Sequence, residues 1–164
     1  MAQEPLSAER REAGGDYLAA LQRLGLKPEG LLWAFHQERK ELQLAMVTSL
    51  VDRIGSLDIY KVLMQAYDAA GTPKSIDPFI VSLYSPNSIF ANGLKGAYDI
   101  EIAGNPHGKL NTGETVDLGE MWFQAGNFTF RKSWVYVALR RAPESRHQIK
   151  EWDKFRHNVE RLAA

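Results

Sequence analysis

The chain contains no cysteine. That removes disulfide bridges, thiol nucleophiles and every cysteine-ligated zinc or iron–sulfur centre from consideration. No apolar run approaches the roughly 18 residues of a membrane-spanning helix, so no membrane partner is expected. The opening Met1-Ala2-Gln3-Glu4-Pro5 lacks the basic and apolar regions of a secretory leader, which points to a cytoplasmic location. Histidine is scarce: residues 36, 107, 147 and 157 form no chelating pattern, so no metal or other cofactor is expected. A net charge is also missing, because 20 basic side chains balance 20 acidic ones. That balance argues against a dedicated DNA-binding domain, which normally shows a basic excess. Internal repeats, low-complexity tracts, dinucleotide fingerprints, nucleophile elbows and zinc-protease motifs are absent from the sequence.

What remains is ordinary globular material. A chain of 164 residues with 45% hydrophobic content fits one domain, and its size class buries about 69% of the unfolded surface. The reading is therefore a single domain over residues 1–164, with the first six disordered. Charge is spread unevenly: residues 98–120 hold one basic and five acidic side chains, whereas residues 121–164 hold nine and four. Blocks of opposite sign either attract across a fold or offer a basic face to an anionic partner.

Periodicity gives an α+β layout. A first helix is expected from Ser7 to Leu24, capped by Ser7 and stopped by Gly25, with Tyr17, Leu18, Leu21 and Leu24 facing the core. The Gly14-Gly15 pair weakens its first half, so order is expected to begin near Asp16. Residues 31–54 read poorly as one helix, because Arg39 and Lys40 would fall on the buried arc. They read better as a β-hairpin, Leu31–Gln37 and Glu41–Leu50, with a polar tip at Glu38–Lys40 and a four-residue loop favoured over a two-residue turn. Ser56 then caps a second helix carrying Ile59, Leu63, Ala66 and Tyr67, with Val62 at its edge. A strand is expected at Phe79–Tyr84 and a short helix at Ser88–Lys95. Tyr98, Ile100 and Ile102 alternate with Asp99 and Glu101 as in a strand, and Asn105–Gly113 reads as a loop. An antiparallel meander follows, with strands at Glu114–Leu118, Met121–Gln124, Asn127–Phe130 and Trp134–Arg140. A helix from Glu144 to Leu162 closes the domain, burying Ile149, Trp152, Phe155, Val159 and Leu162.

Few motifs carry chemistry. Gly104-Asn105-Pro106-His107-Gly108-Lys109-Leu110 resembles a phosphate loop but is one residue short, with Leu110 where Ser or Thr must reach magnesium. His147 with Glu151, and Asp153 with His157, sit four residues apart and read as solvated ion pairs on different edges of one helix. Asp99, Glu101, Glu114, Asp117 and Glu120 form an acidic cluster in sequence. With His107 they suggest a second class of function, a small acid/base enzyme with its cleft near residues 99–120.

The leading candidate is aromatic and basic. Six aromatic residues fall within the sixteen from Trp122 to Val137, with Arg131, Lys132, Arg140 and Arg141 close by. On a strand, Trp134, Tyr136, Ala138 and Arg140 share one face, opposite Val135, Val137 and Leu139. The site predicted here is Trp122, Arg131, Lys132, Trp134, Tyr136 and Arg140, the rings giving contact area and the cations orientation. Trp152 and Phe155 of the last helix are the rings that would cover it. The function expected is a non-enzymatic binding or regulatory module for a protein or small anionic ligand. Single-stranded nucleic acid is a further alternative for the same face.

Overall fold

The computed structural model describes residues 6–102, 107–109, 115–117, 122–139 and 141–164, of which 97–102, 107–109 and 115–117 are described as backbone only. It is an α+β fold with an N-terminal helix, a mixed sheet and a C-terminal helix. Leu6 is already buried, so part of the segment expected to be disordered belongs to the core.

Helix α1 runs from Ala8 to Leu24, with the Ser7 hydroxyl accepting the Arg10 N–H at 3.2 Å and Gly25 ending it at φ 102°. It does not wait for Asp16 to begin. Gly14 is a contact: a Cβ there would collide with the Tyr136 ring and hydroxyl, so the helix accepts a poor helix former to let that side chain lie against it.

Strands β1 (Gly30–His36) and β2 (Glu41–Val47) pair antiparallel, from Gly30 opposite Val47 to His36 opposite Glu41. Their tip has the expected four residues. Lys40 takes the left-handed conformation at φ 55° that glycine would normally supply, and its N–H donates to the His36 carbonyl at 2.9 Å. Strand β2 stops earlier than expected, because Thr48-Ser49 turns the chain into a short helix, α2 (Leu50–Arg53). Helix α3 follows at Ser56–Asp68. Its cap position is Gly55 at φ 92°, so Ser56 is the first helical residue and not the cap; the positive φ allows the sharp turn between α2 and α3. Val62 is buried with Ile59, Leu63 and Ala66, while Tyr67 is half-buried.

Strand β3 is Val81–Tyr84, after a 3₁₀ turn at Pro78–Ile80 that leaves Phe79 outside the strand and 83% exposed. It runs parallel to β2, with Val81 opposite Leu44 and Tyr84 opposite Val47. Helix α4 is Ile89–Ile102, which corrects the strand expected over residues 98–102. The alternation there is only five residues long. It extends a helix already formed, and adding residues to a helix costs far less than starting one.

Strands β4 (His107–Lys109) and β5 (Thr115–Asp117) form a separate antiparallel pair, so part of the expected 105–113 loop is a strand. Strands β6 (Trp122–Ala125) and β7 (Phe128–Arg131) form a tight hairpin through Gly126, at φ 60°. A 3₁₀ turn at Lys132–Trp134 then shortens the expected 134–140 strand to β8 (Val135–Val137). Strands β7 and β8 lie one after the other along β1, with Thr129 opposite Phe35 and Val137 opposite Leu31. Helix α5 (Ser145–Ala163) buries Trp152, Phe155 and Val159 but leaves Ile149 and Leu162 exposed, against expectation.

The main sheet has the order β3-β2-β1-β7-β6, with β8 also on β1. On one face α1 meets Tyr136, whose hydroxyl also bonds Trp33, and α5 packs against both α1 and α3. On the other face α4 places Phe90 against Tyr84 and Phe128, and Gly93 meets the Ala125 backbone where a Cβ would come within 2.9 Å. Strand β3 is the sheet edge in this order, and α3 covers it. The Tyr60 hydroxyl donates to the outward carbonyl of Val81, and the backbone of Leu83 hydrogen-bonds the same oxygen. One side chain thus engages the edge groups that would otherwise recruit a foreign strand.

Two outcomes follow from these phenols. Tyr60→Phe should lower stability by about 1 kcal/mol, read as a lower urea midpoint at unchanged slope, and should promote self-association in light scattering. An unchanged midpoint and a monodisperse variant would show that the edge needs no cover. Burial also pushes the Tyr17, Tyr60, Tyr84 and Tyr136 phenols above the ordinary tyrosine range. The unfolded chain therefore ionises first. The stability these groups supply is complete below a pH of about 10 and is lost as pH rises above it. Urea midpoints measured on both sides of that pH should drop on the alkaline side.

Candidate functional site

The six residues predicted from sequence separate in space. Trp122 opens β6 and is 39% exposed, with the Arg131 guanidinium 4.4 Å over its ring. Trp134 meets Trp122 edge-on at 5.1 Å but is only 2% exposed, which corrects its expected role as an accessible anchor. Tyr136 is half-buried. Its hydroxyl accepts the Trp33 indole N–H at 2.9 Å and donates to the Arg11 carbonyl, so its polar end is engaged inside the fold. The covering element is α1, through Gly14 and Arg11. Lys132 opens the 3₁₀ turn and is partly exposed. Arg140 lies outside the described residues. The structure therefore brings Trp122, Arg131 and Trp134 together, and places Trp134 and Tyr136 in the packing of the domain.

The carboxylate cleft also changes. Asp99 and Glu101 lie on α4, and two positions apart on a helix do not share a face as they would on a strand. His107 begins β4. Glu114 and Glu120 lie outside the described residues. Among the described residues no group of three or more His, Asp or Glu side chains converges on a metal-sized site. On α5, Glu151 accepts the Lys27 backbone N–H at 2.5 Å, and Asp153 sits 3.5 Å from Arg156.

A different site emerges where α5 crosses the end of α1. Three contacts join them. The Asn158 amide donates to the Leu24 carbonyl at 2.8 Å, the Lys27 N–H reaches Glu151, and the stem of Lys154 lies on Gly25, 3.3 Å from where a Cβ would be. Between these elements and the segment at 141–143 is a cleft of about 430 Å³. Its lining includes Lys27, Arg141, His147, Lys150 and Lys154, against the single carboxylate of Glu151. Among the described residues none of those five basic side chains has a carboxylate within ion-pairing distance. Lys150 and Lys154 stand four residues apart on α5, where like charges disfavour the helix by a few tenths of a kcal/mol.

A larger cavity, about 740 Å³, opens between α2 and α5 beside Ser49, Asp52, Arg53 and Trp152. Its polar groups are already engaged with the protein. The Ser49 hydroxyl donates to buried Glu29 at 2.6 Å, Arg53 donates to Gln148 at 2.6 Å and to Ser145, and Asp52 accepts the Ser85 hydroxyl at 2.7 Å. The two cavities thus differ in kind: one ties α2 to α5, and the other gathers basic side chains that have no ion-pair partner among the described residues.

The basic excess of residues 121–164 was the sequence signal for the smaller cleft. It does not locate the cleft, because Lys27 joins from the far end of the chain and the residue pattern of α5 points to its apolar stripe. No protein-family model, no curated protein and no solved structure matches this chain.

The division between core and surface rings can be measured. Trp134→Ala should cost about 3–5 kcal/mol of stability, and Trp122→Ala about 1 kcal/mol. Denaturant unfolding of both variants checks it. Equal losses would return Trp134 to the surface.

Proposed function

We propose that this protein is a non-enzymatic binding module whose recognition surface is the basic cleft between the end of α1 and the first turns of α5. Its partner presents negative charge, on a protein or on a small ligand. The observation that carries this is the convergence of Lys27, Arg141, His147, Lys150 and Lys154 on one cleft with no ion-pair partner among the described residues. Cations held near one another raise the local potential and attract an anion even when the whole chain is neutral. The aromatic part of the expected surface contributes through packing, since Trp134 and Tyr136 are engaged inside the domain.

Single-stranded nucleic acid is the weaker reading. Binding of that kind stacks bases on aromatic rings, and among the described residues no Phe, Tyr or Trp lines the cleft.

Because the net charge is zero, retention on a cation exchanger near neutral pH reads a local patch and not the average. The wild-type chain should be retained at low salt and released as salt screens the cleft. The double variant Lys150→Glu, Lys154→Glu should flow through, while Lys61→Glu on α3, with the net charge moved in the same direction, should still bind. Flow-through of the wild type, or equal loss in the Lys61 variant, would remove the cleft from the account.

A further inference from the structure

We infer that the cleft takes a compact, non-aromatic anion carrying two or more phosphate groups. This rests on the cleft being the binding site proposed above. The cations do not form a stripe along one helix. They arrive from three separate segments, with Lys27 after α1, Arg141 before α5, and His147, Lys150 and Lys154 on α5. An extended acidic peptide is matched by an extended row of charges, whereas convergence on one small space matches a compact group. The volume, about 430 Å³, is that of a small-molecule pocket.

Charge density then selects the chemistry. A carboxylate brings one negative charge, whereas a phosphate monoester brings nearly two with three acceptor oxygens. Four cationic side chains and a histidine around one space are better matched by paired phosphates than by one carboxylate. Arg141 supplies a planar fork suited to two oxygens of one phosphate, and the lysines act as point charges. The body attached to those phosphates is limited by the rest of the lining. Among the described residues the rest of the lining is Gln22, Gly25, Pro143 and Glu151, with no aromatic ring on which a nucleobase would stack. The walls are fixed before any ligand arrives, by Asn158 on the Leu24 carbonyl, Glu151 on the Lys27 amide and the Lys154 stem on Gly25. Preorganisation of this kind reduces the ordering cost of binding.

Titration calorimetry with pyrophosphate, orthophosphate and a penta-glutamate peptide tests the assignment. Pyrophosphate should bind once per chain, roughly tenfold or more tighter than orthophosphate, and Lys150→Glu should weaken it by at least about tenfold. Lys154→Gln is the second variant if the first folds poorly, and Lys61→Glu should leave pyrophosphate binding unchanged. Equal affinity for pyrophosphate and orthophosphate, or pyrophosphate binding that is indifferent to Lys150, overturns the phosphate assignment. Binding of the penta-glutamate peptide alone, lost in Lys150→Glu, overturns it too but leaves the basic cleft as the recognition surface. If none of the three ligands binds, both the assignment and the reading beneath it fall.

Discussion

The pairing of β1 with β2 is the constraint from which the rest of the domain follows. Leu31, Leu32, Trp33 and Ala34 on one strand, and Leu44, Ala45, Met46 and Val47 on the other, are buried on both faces of the sheet. A hairpin apolar on one face needs one covering layer; this one needs two. Helices α1, α3 and α5 supply the first and α4 the second. The demand reaches the side chains as well. Trp33 carries an indole N–H into the interior, and an unpaired buried donor costs about 1–3 kcal/mol. Tyr136 removes that cost by accepting the indole N–H, and its own hydroxyl donates a hydrogen bond to the Arg11 carbonyl, joining β1, β8 and α1.

The same rule separates the two cavities. Buried polar groups persist when each finds a partner. Glu29 holds both the amide and the hydroxyl of Ser49. On β2, Gln43 accepts the Ser82 hydroxyl at 2.5 Å and donates to Glu41 at 2.9 Å. These networks close on themselves and serve the fold. The cleft between α1 and α5 differs: beside the Glu151 carboxylate it gathers five basic side chains that have no carboxylate within ion-pairing distance among the described residues, and the Lys150–Lys154 spacing disfavours α5.

How much could be read in advance depended on the range of the physics involved. The Ser7 cap and Gly25 stop of α1, the hairpin with its four-residue tip, and the buried Trp152, Phe155 and Val159 of α5 were legible because caps and periodicity are local signals. Residues 98–102 were misread because a two-residue alternation of five positions resembles a strand when the preceding helix is ignored. Gly14 was misread because its reason lies in Tyr136, far away in sequence. The candidate site was less legible still. Six aromatics in sixteen residues suggested a surface, yet Trp134 and Tyr136 are needed inside, by Trp122 and by Trp33. The basic sign of the cleft was visible in the tail, but its place depended on Lys27 and on the crossing of α5 over Gly25.

The attachment of β7 and β8 to β1 sets the order in which this chain is completed. Trp33 and Tyr136 are separated by 103 positions. During synthesis the β1–β2 hairpin leaves the ribosome with its β1 edge open, and that edge stays open until residues 128–137 have also emerged. Pairings of such long sequence separation form slowly. Through that interval the chain exposes an apolar edge of the kind that recruits other strands. The domain is therefore finished from its C-terminal third, with the strands that seal the hairpin arriving just ahead of the helix that carries most of the cleft.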